Sequence, residues 1–95
     1  MRMMLRWTVP VEQGNAAFKD GSLAATMQGL MQQLQPEAAY FMPEGGERGG
    51  LMVFDMTDPS QIPQIAEGLF TNLHAAVEFL PVMNADDLKR GMSAS

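Results

Sequence analysis

An α+β fold is predicted, with four strands in an antiparallel sheet and the helices on one face. Three observations carry it. Apolar segments of strand character stand near both ends of the chain and as a pair in its middle. Two intervening segments repeat apolar residues at helical spacing. Their order is strand, helix, strand, strand, helix, strand, which joins two strand–helix–strand halves through a hairpin.

Each element has its own warrant. Residues 2–9 read as the first strand, closed by Pro10. Met3, Leu5, Trp7 and Val9 share one face, and Met4, Arg6 and Thr8 share the other. A weak helix follows over residues 12–19. Asp20-Gly21-Ser22 breaks it, with Ser22 placed to cap a second piece. Leu23, Met27, Leu30, Met31 and Leu34 recur at helical spacing, and Pro36 lies where helices stop. Residues 38–42 and 51–56 read as two strands, and the glycine-rich stretch 43–50 reads as a long hairpin loop between them. Asp58 or Ser60 caps the next helix, and Pro63 fits only in its first turn. Ile62, Ile65, Ala66, Leu69, Phe70 and Leu73 form its apolar stripe. Residues 75–82 read as the last strand, with Pro81 marking a sheet edge. Asn84, Asp86 and Asp87 then cap a short final helix, leaving a flexible tail.

Ninety-five residues make a single domain, residues 1–95, with a thin core. The chain holds 11 acidic and 6 basic side chains, a net charge of −5. Its basic residues are scattered, which argues against nucleic acid and against anionic membrane surfaces. No apolar run approaches the ~20 residues of a membrane span. A cytoplasmic protein is expected. The absence of cysteine excludes disulfides and thiolate chemistry, and a single histidine excludes a multi-histidine metal site within one chain. No metal or cofactor is expected.

The strands are apolar on both faces, yet the chain supplies helices for only one. Leu51 and Val53 oppose Met52, Phe54 and Met56; Val77 and Phe79 oppose Ala76, Leu80 and Val82. A second copy packing its sheet on the open face is the economical cover, so a two-fold homodimer is expected. This ferredoxin-like plan resembles the dimeric α/β-barrel superfamily, in which two such sheets close into one barrel. Met3-Met4-x-Arg6-Trp7, Gly49-Gly50, Asp58-Pro59, Glu78 and Pro81-Val82 carry the resemblance. It is nearest to an uncharacterised bacterial family of unknown function. More distantly the chain is similar to muconolactone isomerase-like and antibiotic-biosynthesis monooxygenase-like proteins. The resemblance implies a fold and a dimer, and no reaction.

Arg6 and Glu78 are opposite charges inside the apolar first and last strands. A charge in such a place costs several kcal/mol unless it is paired or solvated. If the strand centres align, the two face each other. They are then either a structural salt bridge or the polar anchor of a barrel cavity, with Arg6 gripping an acid and Glu78 carrying a proton. His74, the one side chain that titrates near neutrality, ends a helix, either as a cap or as a further catalytic group. Tyr40, Met4 and Thr8 are candidate ligand-binding residues beside Arg6. Trp7 falls on the opposite face, under the helices. The 10 methionines suit either core filling or an adaptable pocket. The glycine stretch lacks the phosphate-loop pattern and reads as a flexible cover.

These features favour a small dimeric protein that binds a small organic molecule. One alternative is a cofactor-independent isomerase or monooxygenase acting on an aromatic or unsaturated acid. Another is a purely structural dimer.

Overall fold

A computed structural model describes residues 1–93. Its elements are β1 (Arg2–Val9), α1 (Val11–Asp20), α2 (Ser22–Leu34), β2 (Ala38–Glu44), β3 (Glu47–Asp55), α3 (Gln61–Leu73), β4 (Ala76–Pro81) and α4 (Ala85–Ser93). The sheet is antiparallel with strand order β2-β3-β1-β4, the ferredoxin-like topology. No helix among the described residues is long and apolar enough to cross a membrane.

β1 lies in the centre of the sheet, and its strict alternation decides the layering. Met3, Leu5, Trp7 and Val9 are buried, while the residues between them are only half-buried. The buried row meets Met52 and Phe54 on β3 and is covered by Leu30 and Leu34 of α2 and by Ile65, Leu69 and Leu73 of α3. Pro81 lies on an edge strand, where its missing N–H does no harm.

Helix ends follow the backbone more than the side chains. Gly21, at φ 85°, separates α1 from α2. Ser22 is therefore the first residue of α2 and not its cap; its N–H donates to Asp20 Oδ1 at 2.8 Å. Ser60 is the N-cap of α3 by position but makes no capping bond. Backbone carbonyls meet the first N–H groups of α3 instead, Gln61 N–H donating to Asp58 O and Ile62 N–H to Pro59 O, each at 3.0 Å. The Gln61 Oε1 ties back the preceding loop by accepting from the N–H groups of Thr57 and Asp58. Pro63 falls in the first turn, where a missing N–H is harmless. Asn84 and Asp87 cap α4 reciprocally, each side chain accepting the other's N–H. This helix occupies most of the expected tail; the final two residues lie outside those described.

The largest correction concerns residues 43–50. They are not a loop. β2 runs to Glu44 and β3 starts at Glu47, so only Gly45 and Gly46 turn. Both have positive φ, 59° and 82°, as a two-residue type I′ hairpin requires. Gly49 and Gly50 are paired strand residues. A Cβ on Gly50 would sit 2.6 Å from Trp7 Cζ2 and 2.7 Å from the Tyr40 carbonyl oxygen. Glycine is there because the Trp7 ring takes the space of a side chain. Asp55 ends β3, and its Oδ1 accepts from the N-terminal ammonium at 2.7 Å.

Candidate functional site

The register places Arg6 directly opposite Glu78, as the first and last strands suggested. On that face Tyr40, Leu51, Arg6 and Glu78 form one row across all four strands. The ion pair itself is different. Arg6 Nη2 donates to Glu44 on the far hairpin, and Glu78 has no ion-pair partner among the described residues. Arg6 and Glu44 side chains are 38% and 40% exposed, so this pair is solvated rather than sealed in a core. Met4 and Thr8 flank Arg6 on the same face. Tyr40 and Glu78 stand on opposite edge strands, three strand spacings or about 14 Å apart.

His74 is not part of this row. It is exposed, in left-handed conformation at φ 52°, and closes α3 with its N–H directed at the Leu69 and Phe70 carbonyls. The six residues singled out from sequence thus fall into two places: five on the open sheet face and His74 at a helix end.

Sequence reasoning missed a cleft on the opposite, helix-bearing face. The helical layer stops short of β2, so Phe41 and Pro43 are exposed on that side. The gap is a cleft of about 570 Å³, within the range of small-molecule pockets. Val11, Leu23 and Met27 of α1 and α2 form one wall, Phe41 and Pro43 the other, and Trp7 and Val9 the floor. Trp7 is 3% exposed and packs edge-on to Phe41, centroids 5.9 Å apart at 66°. The reading of Trp7 as a core residue under the helices holds; one edge of the same ring also serves the cleft.

Arg48 closes the hairpin end of this cleft. Its Nη1 donates to Asn15 Oδ1 at 3.0 Å, and its guanidinium carbon lies 5.9 Å from the Phe18 ring centroid. The one sequence signal that pointed here was Gly14, a glycine in the middle of a helix. Glycine there lacks the side chain that would crowd Arg48: a Cβ would lie 2.8 Å from Arg48 Nη1.

A second depression, about 610 Å³, lies around Arg2 at the other end of the sheet. Its charges already satisfy one another. Arg2 donates to Glu37 at 2.6 Å and to Asp87, and the Glu37 carboxylate raises the guanidinium pKa above its ordinary value. The Asp55 carboxyl lies below the usual range because it accepts from the N-terminal ammonium. The Asp87 carboxyl is lowered first by the Asn84 N–H, then by Arg90 and Arg2. This network ties α4 to the sheet and offers no unmatched group to a ligand.

The fold and these surfaces define a ferredoxin-like α+β domain with one covered and one uncovered sheet face. The chain belongs to DUF3303, a domain of unknown function whose family model matches residues 1–95. Comparison with curated proteins found no match.

Proposed function

We propose that the protein binds a small organic molecule in the cleft between α1, α2 and the β2–β3 hairpin, and that it does so as a two-fold homodimer. The carrying observation is the construction of the cleft. Its floor is the locked Trp7 ring, and its walls are apolar side chains on regular elements. Such a site is preformed, so little ordering opposes binding.

The homodimer reading is supported by the opposite face. Met4, Leu51 and Val53 are half-buried there with no helix above them among the described residues, and Tyr40 and Leu80 are exposed. Two such faces packed together would cover both apolar rows, while the Arg6–Glu44 pair and the unpaired Glu78 provide polar contacts that orient the copies. The isomerase or monooxygenase reading gains no support from the protomer, because Tyr40, Arg6, Glu78 and His74 do not converge.

Two measurements test the proposal. Naphthylacetamide, a neutral aromatic probe, is titrated while the indole N–H resonance of the single tryptophan is followed. Saturable movement is expected, and Met27→Phe, which narrows the cleft and adds no second indole, is expected to weaken it. No movement in the wild type rejects the cleft as a binding site. Light scattering tests the assembly: a dimer is expected, turned into a folded monomer by Leu51→Lys. A wild-type monomer at micromolar concentration rejects the dimer.

A further inference from the structure

We infer that the ligand of the cleft is an aromatic carboxylate and that Arg48 takes its carboxylate. The inference rests on the cleft being a small-molecule site and specifies the chemistry of that site.

The argument begins with charge. The chain has 11 acidic and 6 basic residues, so acidic partners are plentiful. Arg2 and Arg6 are both claimed by carboxylates. Arg48 is the one half-buried basic side chain without such a partner among the described residues. Its neighbours hold it in place and leave its charge unmatched. Asn15 accepts one of its N–H groups and Phe18 lies beside the cation. A guanidinium has five N–H donors in a planar fork, so most remain for a bidentate acid. Half-burial strengthens that bond, because the local dielectric lies below that of water.

The adjacent Glu47 also lines the hairpin end of the cleft, but it forms no ion pair with Arg48; in register it pairs with Glu44, one residue out of step with Arg48. The rest of the ligand is specified by the walls. Phe41 presents a ring surface, Trp7 a ring edge and Met27 a thioether, a set that favours an aromatic body over an alkyl chain.

Gly14 provides the sharpest handle. Alanine is the better helix former, so Gly14→Ala leaves α1 intact or firmer. Its Cβ would lie 2.8 Å from Arg48 Nη1 and 3.3 Å from Arg48 Cδ, both on a flexible side chain. The variant is expected to push the guanidinium aside while α1 keeps its fold.

The test compares naphthylacetate with naphthylacetamide on the full chain, read from the Trp7 indole N–H. The wild type is expected to prefer the acid by roughly tenfold to a hundredfold, the worth of a charge-assisted bond. Arg48→Met is expected to remove the preference by weakening the acid alone. Gly14→Ala is expected to reduce it, with dispersed amide spectra showing that both variants fold. Equal binding of acid and amide to the wild type overturns the carboxylate inference and leaves the cleft standing. So does a preference that survives in both variants. Failure of both probes to bind overturns the inference and the cleft together.

Discussion

On the helix-bearing side of the sheet, Leu5, Val9 and Met52 have no solvent exposure and Phe54 has 2%. On the opposite side, one residue out of step along the same strands, Met4, Leu51 and Val53 remain half-buried, and Leu80 and Tyr40 are exposed. The open face carries apolar residues too, but also Arg2, Arg6, Glu44, Glu47, Asp55 and Glu78, where the covered side of the strands carries Arg48. The faces differ as well in what lies above them. Two strand–helix–strand halves deliver both long helical segments to one side, because each crossover has the same hand. Apolar content therefore states how much surface needs cover, and topology states which surface receives it within the chain. The covered face is complete except at β2, where the layer runs out and the cleft opens.

The largest expected effect tests that contrast directly. Phe54→Ala should destabilise the protein by about 3–5 kcal/mol, as a truncation in a closed core does. Val53→Ala, the next residue but on the open face, should cost the monomeric protein about 1 kcal/mol or less. Denaturant unfolding at low concentration measures both, and equal losses would break the distinction between the faces.

A smaller effect is expected on the covered face, where the Trp7 ring packs onto the backbone of Gly50. Gly50→Ala should cost about 1–3 kcal/mol, because the new methyl meets both Trp7 and a carbonyl that cannot withdraw. Gly45→Ala has open space around it and only a positive φ to sustain, for about 1 kcal/mol. Thermal unfolding of the pair separates crowding from backbone strain. A smaller loss at Gly50 than at Gly45 would show that the Trp7 ring does not fill that space.

Smaller still is the charge on the open face. Arg6→Met should change protomer stability by no more than about 1 kcal/mol, since the Glu44 pair is solvated. A loss of several kcal/mol in urea would mean that the face is sealed and the pair buried.

The least effect on the whole, confined to one end, follows from acid. The Asp87 carboxyl titrates below the usual value of 3.8 in the folded state, first because of the Asn84 N–H. A depressed carboxyl pKa contributes stability that is present above the unfolded value and lost as pH falls through the folded one. Acidification below about pH 4 should therefore loosen α4 before the core opens. Amide exchange followed at Leu88 and Leu69 during acid titration checks it; simultaneous loss of both would show that α4 is no separate unit.

The alternation of β1, the stripe of α3 and the edge position of Pro81 were legible in the chain, because each depends on residues a few positions apart. The opposition of Arg6 and Glu78 was legible too, as a register between strands of matching pattern. The partner of Arg6 was not. A long side chain on an open face reaches whichever carboxylate lies nearest in space, and that is Glu44, brought back by a hairpin that read as a loop. The same stretch hid the cleft. Gly45 to Gly50 look alike in sequence, yet two of them turn the chain and two lie in a strand, Gly50 beneath the Trp7 ring.

The sequence by itself determined the periodicities, the layer order and the excess of apolar sheet surface, since these follow from backbone geometry and nearby residues. Only the tertiary structure decided that Trp7 lies over Gly50, that Gly14 makes room for Arg48 and that the helical layer ends before β2. Those outcomes depend on volume and distance between residues remote along the chain, and no local pattern encodes how such residues share space.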